Sequence, residues 1–506
     1  MSITALNPAA DAAVESMNEL REALGVSTAS LQARAEVDPT CELRAEVAIG
    51  RSPFGELVDE RFVSMREGDA VEVRARTAQG VFRGLVRELL LAPSSPEEGI
   101  HDGRPRHDGP AIRWRGLSVD TVRHPLEVGT LRRIVDLLAL HGMNVLHLHL
   151  TDNEGWRAPV GGVTAAAAPH FTVDQLTDLV AYAERRCIAI IPEIDLPGHI
   201  ASLAQARPEL TAQSFPHPAF SYLDPDNPEA LNFAATAIAE LAEIFPAPYL
   251  HIGGDEVFGM PREAYDRFMR ASAEAVHATG RRAISWQEAV RSEAPIDLYQ
   301  WWMTPADVPS GAAILAQAPE GMEDVARAVA ASYAEVADDP RLLAERRADV
   351  IVSMQDPLYL DRRYAEPSHV DAQTEALERV GFAAYAPTPT RALLTWDPLA
   401  ALPAGTTLAG LEAAIWGETI TSVDDLALLL LPRLALVAET AWHRRPSPET
   451  TRGIVERATA DWSSLGFHAW YRSTDLVEAG SAHAASGRPS TPPTTTPTDR
   501  ERHTHG

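Results

Sequence analysis

The chain contains 506 residues, 45% of them hydrophobic, so it exceeds one ordinary domain and can bury sizeable cores. Its 71 acidic and 44 basic residues give a formal charge of −27, which disfavours nucleic acid and anionic membranes as partners and favours neutral or cationic substrates. With only two cysteines, Cys41 and Cys187, a disulfide framework is excluded, while a single bridge stays open.

The sequence shows neither of two common targeting signals, a membrane span and a secretory signal peptide. No stretch approaches the roughly 20 apolar residues that a membrane span needs. The N-terminus has neither the basic region nor the apolar region of a secretory signal. We therefore expect a cytoplasmic protein, unless the sequence begins after a processing site. Its oligomeric state stays open.

The first part of the chain, residues 1–110, predicts a small α+β accessory domain followed by a linker. Residues 41–49 and 70–76 alternate apolar and polar side chains as strands do, and residues 81–91 have a helix-like pattern. The stretch 93–110 is rich in Pro, Gly, Asp and His, which predicts the linker.

Residues 111–445 predict a (β/α)₈ barrel, because short apolar strands alternate there with helices. A doubly wound open sheet is the alternative, but polar clusters follow many different strands instead of one switch point. The eight strand candidates begin near Trp114, Val145, Ile188, Tyr249, Ala283, Ile296, Val350 and Leu408.

Three segments lie outside the regular barrel pattern. Residues 303–348 are too long for a simple connection and predict an Ala- and Glu-rich helical insertion. Residues 446–483 predict a C-terminal helical extension. Residues 484–506 are rich in Ser, Thr and Pro and predict a disordered tail, whose two histidines near the end we take to be inert.

The most informative segment is Tyr249-Leu-His-Ile-Gly-Gly-Asp-Glu-Val257. Apolar residues alternate up to His251, two glycines end the strand, and Asp255 and Glu256 follow. An isolated Asp-Glu pair is usually a solvated turn. Adjacent carboxylates at the end of a buried strand repel each other and cost stability, so this pair predicts catalytic acids.

Polar and aromatic residues also follow the other predicted strands. Barrel enzymes carry their chemistry at the C-terminal ends of the strands. Tryptophan faces stack on sugar rings, and Arg, Asp and Glu bind sugar hydroxyls, so the set predicts a sugar site. The residues at successive strand ends are Asp120, Arg123, His147, His149, Asp152, Glu154, Glu193, Asp195, His199, Asp255, Glu256, Trp286, Trp301, Trp302, Tyr359, Asp361, Trp416 and Glu418.

Two other functions remain open from the residues alone. His147 and His149 share one face of a strand with Asp152 nearby, as in a metal-dependent amidohydrolase on a barrel. Neither a lysine nor a later histidine set completes such a site. The other alternative is a catalytically silent sugar-binding protein, which would not need a protonatable Glu256.

Five stretches occur in one order along the chain, and with them the sequence resembles the β-N-acetylhexosaminidases of glycoside hydrolase family 20. The likeness extends from about residue 40 to 445. The stretches are Arg115-Gly-Leu-Ser-Val-Asp-Thr-Val-Arg-His124, His147-Leu-His-Leu-Thr-Asp-Asn-Glu-Gly-Trp-Arg157, Pro192-Glu-Ile-Asp-Leu-Pro-Gly-His199, His251-Ile-Gly-Gly-Asp-Glu256 and Glu412-Ala-Ala-Ile-Trp-Gly-Glu418.

The resemblance implies an exo-acting enzyme that removes terminal β-linked GlcNAc, GalNAc or both by a retaining, substrate-assisted mechanism. The 2-acetamido oxygen of the sugar would attack the anomeric carbon. Glu256 would be the general acid and then the base, Asp255 would orient the acetamido N–H, and Tyr359 would bind the attacking oxygen. The resemblance implies a carbohydrate partner, no cofactor and no metal.

The resemblance also implies the residues that surround the sugar. Asp152 and His199 would form a relay to Glu256. The family pattern selects Trp302 over Trp301 at the sixth strand, and the usual tryptophan of the leaving-group site is not evident, with Tyr385 a weak substitute. The predicted substrate-binding residues are Arg123, Trp286, Trp302, Asp361, Trp416 and Glu418.

Overall fold

A computed structural model describes residues 2–25, 32–46, 48–55, 58–68, 70–90, 104–163 and 169–476. Two of the sequence predictions lie outside these ranges. They are the first part of the predicted linker, up to residue 103, and the predicted disordered tail with its two histidines.

The N-terminal domain is a five-stranded sheet in the order β1-β2-β4-β3-β5, with two helices. Alternation explains β4, whose Val71, Val73 and Ala75 are buried while its other side chains are not. Residues 106–108, which the sequence places in a linker, form the edge strand and pair with β3; three polar residues carry no apolar signal. The elements are β1 Ser2–Ala5, α1 Asp11–Ala23, β2 Gln32–Val37, β3 Phe62–Glu67, β4 Ala70–Ala75, α2 Ala78–Leu90 and β5 Arg106–Asp108.

The second domain is a closed barrel of eight parallel strands, which confirms the predicted (β/α)₈ fold and excludes the doubly wound sheet. Every strand begins within two residues of its predicted start. The barrel closes where residues 411–415 pair with residues 115–119. The strands are β6 Arg115–Asp120, β7 Val145–His149, β10 Ala189–Glu193, β13 Tyr249–His251, β14 Arg282–Trp286, β15 Leu298–Trp301, β16 Asp349–Val352 and β17 Thr407–Ile415.

Helices surround the barrel, and two short hairpins decorate its loops. The hairpins are β8 Thr151–Asp152 with β9 Gly155–Trp156, and β11 Thr211–Gln213 with β12 Ser221–Leu223. The helices are α3 Val128–Leu140, α4 Val173–Glu184, α5 Ala201–Ala206, α6 Pro228–Ile244, α7 Arg262–Ala278, α8 Gly311–Ala316, α9 Glu323–Glu335, α10 Asp339–Glu345, α11 Gln355–Leu358, α12 Asp371–Ala376, α13 Thr390–Thr395, α14 Val423–Leu430, α15 Arg433–His443 and α16 Pro448–Ser464.

Three of these helices, α8 to α10, form the segment between β15 and β16 that the sequence describes as an insertion. We call the segment 303–348 the insertion. Beyond the barrel, α16 lies in the region of the predicted C-terminal extension. No single described helix is long and apolar enough to cross a membrane; α14 and α15 reach that length only together, with a 43° bend between them, and most of their side chains are buried within the protein.

Buried ion pairs connect the two domains. Arg87 of α2 pairs with Glu439 of α15, and Glu60 accepts hydrogen bonds from Arg83 of α2 and Arg115 of β6 at 2.8 Å each. Burial alone would raise the pKa of Glu60, but Arg115 and Arg83 lower it to about 2. These pairs lie near the start of the first barrel strand, so the accessory domain supports the barrel at the end opposite the predicted site.

Candidate active site

The backbone conformation that places Asp255 and Glu256 depends on the two glycines before them. Gly253 and Gly254, which follow β13, have φ of 70° and 105°. A Cβ atom at Gly253 would lie 1.9 Å from Asp195 Oδ1, so only glycine fits there. Glu256 itself has φ of 49°, a left-handed conformation that a glutamate adopts at a cost. The loop therefore stores strain where the predicted general acid lies.

A relay of side chains meets the two acids. Asp152 Oδ1 lies 3.2 Å from His199 Nδ1, and His199 Nε2 lies 3.8 Å from Asp255 Oδ2 and 3.7 Å from Glu256 Oε2. Burial alone would lower the pKa of His199, but Asp152 and then Asp255 raise it to about 9. His199 is therefore a cation at neutral pH, placed between both carboxylates.

Asp255 shares its surroundings with a second carboxyl group, Asp195. Burial, followed by repulsion from Glu193 at Asp195 and from Asp195 at Asp255, raises the pKa of both groups well above the ordinary value. Two adjoining buried carboxyls hold one proton more easily than two charges. Both groups border the pocket, but Asp195 is 1% exposed and accepts a hydrogen bond from the Gly254 N–H, whereas the Asp255 side chain is 16% exposed. Asp255 is therefore the carboxyl group of this pair that a ligand can reach more easily.

A fully buried carboxylate, Glu193, organises the floor beneath the relay. It lies 2.6 Å from His149 Nδ1 and 3.0 Å from His251 Nδ1, and it accepts a 2.7 Å hydrogen bond from Trp286 Nε1. Burial alone would raise the pKa of Glu193, but these histidines, His251 foremost, hold it well below the ordinary value. His149 in turn contacts Asp152 at 2.7 Å. The network thus fixes the relay and also Trp286, which packs against Trp416 of the pocket wall.

Aromatic rings form the walls of the pocket. Trp302 and Tyr359 lie parallel, with ring centroids 6.3 Å apart and 5° between their planes. Trp416 meets Tyr359 edge-on at 5.7 Å and lies 6.0 Å from Trp286. Trp301, which the family pattern did not select for the site, instead packs in the main hydrophobic core. Such rings fit the apolar faces of a sugar and an acetamido methyl group.

Charged groups form the rim. Arg123 contacts Asp152 at 2.7 Å and lies over the Trp416 ring at 5.6 Å, while Glu418 is exposed. Asp361 is 1% exposed, and among the described residues neither of its oxygens has a hydrogen-bond partner. Burial, then Glu418, raises the pKa of Asp361 to about 7. A buried acceptor without a partner is suited to bind a ligand hydroxyl.

These groups line one cavity of about 80 Å³. Ten of the eleven predicted site residues border it, and the eleventh, Trp286, lies behind Trp416. The ten are Arg123, Asp152, His199, Asp255, Glu256, Trp302, Tyr359, Asp361, Trp416 and Glu418.

Tyr385, which the sequence analysis named as a weak substitute for the leaving-group tryptophan, borders the cavity and meets Tyr359 edge-on at 6.0 Å. The structure adds two residues that the sequence reasoning did not assign. Glu288 accepts a 3.2 Å hydrogen bond from Trp302 Nε1, and burial raises the pKa of Glu288 to about 7. Tyr333, on α9, donates a 2.8 Å hydrogen bond to Glu256. The position of Glu288 two residues after a strand end could have indicated it; nothing local in the sequence indicates Tyr333.

The histidines that suggested a metal site are paired with carboxylates. His147 Nδ1 lies 2.7 Å from Glu412, and both ring nitrogens of His149 face carboxylates. His147, Glu193 and His251 do place possible ligand atoms within 4.8 Å of one another. Glu193 lies 3.2 Å from His147 Nε2 and 3.0 Å from His251 Nδ1, so the three groups form an ion-pair network that supports the barrel strands.

Comparisons with known proteins agree with this geometry. The model of the "Glycosyl hydrolase family 20, catalytic domain" matches residues 112–445. A "Beta-N-acetylhexosaminidase" of Cellulomonas fimi is 31% identical over 84% of this chain and 83% of its own length. A "Beta-hexosaminidase" of Emericella nidulans is 27% identical over 76% of this chain and 70% of its own.

Solved structures show the same architecture. The GH20 β-N-acetylhexosaminidase from Streptomyces coelicolor A3(2) matches with a TM-score of 0.71 and 25% identity, over 94% of each chain. A mutant Streptomyces plicatus β-hexosaminidase in complex with the product GlcNAc matches with a TM-score of 0.70 and 24% identity, over 92% of this chain and 91% of that one. The second likeness shows the fold alone.

Proposed function

Because the chain belongs to glycosyl hydrolase family 20, we propose that it is an exo-acting β-N-acetylhexosaminidase that releases terminal GlcNAc, GalNAc or both from a carbohydrate substrate. The reaction is a retaining hydrolysis in which the substrate supplies the nucleophile. This function replaces the metal-dependent amidohydrolase and the silent sugar-binding protein that the residues alone left open.

One observation carries the proposed mechanism: Asp255 and Glu256 lie on the same side of the pocket. His199 Nε2 is 3.8 Å from one carboxylate and 3.7 Å from the other, and an oxygen of each carboxylate lies within 4.8 Å of an oxygen of the other. Enzymes with two catalytic carboxylates instead place them on either side of the scissile bond, at least about 5 Å apart. Asp255 is therefore unsuited to attack C1 from the face opposite Glu256, and the 2-acetamido oxygen of the sugar takes that role.

The chemistry proceeds in two steps. The acetamido oxygen attacks C1 while Glu256 gives its proton to the departing oxygen, so the glycosidic bond breaks and a cyclic oxazolinium forms. Glu256, now a carboxylate, then takes a proton from water as the water attacks C1, which returns the acetamido group and retains the β configuration. Atoms and protons balance over the cycle.

The pocket stabilises the cyclic intermediate. We propose that the Asp255 carboxylate accepts the acetamido N–H and offsets the positive charge that develops there, and that the Tyr359 hydroxyl donates to the attacking oxygen. Trp302 encloses the methyl group, and Trp286 supports the aromatic wall from behind Trp416. With water excluded by the aromatic walls, the charge of Asp255 acts at low effective dielectric and therefore strongly.

The rim holds the sugar ring. We propose that Arg123, Asp361 and Glu418 bind its hydroxyls, and that Trp416 stacks on its face. A panel of paired gluco- and galacto-configured acetamido glycosides measures which configuration at C4 the rim prefers.

The test uses two β-N-acetylglucosaminides, one with a leaving group that needs a proton and one, such as a dinitrophenyl glycoside, that does not. Wild-type protein should hydrolyse both. In Glu256→Gln, kcat/KM for the first substrate should fall by about 10³-fold or more, with a much smaller loss for the second. Sugar binding without turnover of either substrate by the wild type would leave the silent binding protein as the function, and equal losses would remove Glu256 as the acid.

A further inference from the structure

The insertion reaches the general acid. Tyr333, near the C-terminal end of α9, donates a 2.8 Å hydrogen bond from its hydroxyl to Glu256 Oε1. Its ring meets Phe258 edge-on, with centroids 5.8 Å apart. His199 approaches the other carboxylate oxygen, Oε2, only to 3.7 Å. Tyr333 therefore makes the closest side-chain contact shown for the Glu256 carboxylate among the described residues.

The helix that carries Tyr333 is firmly attached to the barrel. Arg291, which follows β14, forms two hydrogen bonds with Asp339 of α10, at 2.8 and 2.7 Å. The same guanidinium lies 3.4 Å from the Ser332 carbonyl oxygen and 3.6 Å from Glu335. Val336, just past α9, is buried in the aromatic cluster of the pocket. These contacts fix the helix turn on which Tyr333 lies.

The direction of the hydrogen bond determines where the acid carries its proton. The Glu256 carboxylate, and then burial, raise the pKa of Tyr333 above its ordinary value, so the hydroxyl keeps its hydrogen. With that hydrogen directed at Oε1, this oxygen is the acceptor, and the carboxylic acid proton resides on Oε2. Glu256 is 28% exposed in its side chain, so without the contact its carboxyl could rotate and exchange the two oxygens.

We propose that Tyr333 is a positioning residue for the hydrolysis: it holds the Glu256 carboxyl through Oε1 so that Oε2 presents the proton to the leaving oxygen. The inference deepens the proposed function and rests on it. In the second step the same bond keeps Oε2 as the free base toward water. The insertion is thereby part of the catalytic apparatus, since it supplies the group that orients the acid.

The experiment compares Tyr333→Phe with wild type. Phenylalanine keeps the ring against Phe258 and removes only the hydroxyl. Tyr182→Phe is the matched control, because the Tyr182 hydroxyl donates a 2.7 Å hydrogen bond to the Asp136 carboxylate, between α3 and α4 and away from the pocket. The assay is kcat/KM against pH on a glycoside whose leaving group needs a proton and on a dinitrophenyl glycoside.

We expect Tyr333→Phe to lower kcat/KM about 10-fold on the first substrate and less than about twofold on the second. Removing a donor destabilises the carboxylate relative to the acid, so the alkaline limb of the profile should move up by about one pH unit. Tyr182→Phe should change neither. Affinity for the product N-acetylhexosamine, measured by calorimetry, should be unchanged in Tyr333→Phe if the pocket is intact.

Equal losses on both substrates, or an unmoved alkaline limb, would overturn the positioning role, as would full activity in Tyr333→Phe. Lost product binding in that variant would assign Tyr333 to the structure of the pocket and overturn the inference too. Absence of wild-type turnover on both substrates would instead reject the proposed function, so the two failures are distinguishable.

Discussion

Replacing Asp361 by asparagine should stabilise the protein while it weakens sugar binding. The carboxyl is 1% exposed, with its pKa raised from an ordinary 3.8 to about 7 by burial and then by Glu418. A group whose pKa is raised in the folded state costs stability as the pH increases from its unfolded to its folded pKa. Below about pH 4 this destabilisation of the folded wild type is absent, and above about pH 7 it is fully present.

The magnitude follows from the shift. At pH 8 the whole shift of about three pKa units applies, so the ionised carboxyl destabilises the folded protein by about 4 kcal/mol. At pH 5, about one unit above the ordinary pKa, the destabilisation is about 1.5 kcal/mol. The asparagine side chain of the variant carries no charge at either pH, so the Asp361→Asn protein should exceed the wild type in stability by these amounts. For a protein of this size that unfolds as one unit, about 4 kcal/mol corresponds to roughly 4 °C in Tm.

The assay is Tm by calorimetry from pH 4 to 8 for wild type and Asp361→Asn, with activity measured in parallel. Glu60→Gln is the control of opposite sign. Arg115 and Arg83 lower the pKa of Glu60 to about 2, so its stabilisation is present above the ordinary value and is lost only as the pH falls toward 2. Over most of the assayed range Glu60→Gln should therefore be less stable than wild type by an amount that does not change with pH. A Tm difference for Asp361→Asn that is constant with pH, or negative at pH 8, would refute the reasoning.

Two further predictions concern the acids and their relay. Asp255→Asn should lower kcat by about 10²-fold or more with little change in KM, because its charge acts on the intermediate; a loss confined to KM would contradict that role. Asp152→Asn should lower the pKa of His199 from its wild-type value of about 9, since Asp152 makes the largest contribution that opposes burial. Histidine NMR titration measures this, and an unchanged midpoint would exclude Asp152 as the cause.

Sequence patterns predicted the parts of the fold that local signals encode. The eight barrel strands are buried on both faces, so they appear as apolar runs, and polar residues mark their C-terminal ends. Asp255 and Glu256 were identifiable because an apolar strand and Gly253-Gly254 precede them. The edge strand at residues 106–108 was not identifiable from the sequence, because its three residues are all polar and show no apolar alternation.

Long-range contacts were outside the reach of these patterns. Tyr333 lies on an Ala-rich helix 77 residues from Glu256 in sequence, and only the docking of α9 through Arg291 and Asp339 brings its hydroxyl to the acid. The burial that changes the charge of Asp361 likewise depends on packing from several strands. The hydrophobic periodicity of a segment indicates which of its faces is apolar, but it does not indicate which other segment packs against that face.

The nucleophilic role of the substrate's own amide is tested most directly by fluorination of that amide. Replacing the acetamido methyl hydrogens by one, two and three fluorines changes size little but makes the carbonyl oxygen a poorer nucleophile at each step. With one leaving group throughout, the mechanism predicts a stepwise fall in kcat/KM of about 10²-fold or more over the series, with retention of the β configuration. A flat series, or an α-configured product, would contradict it.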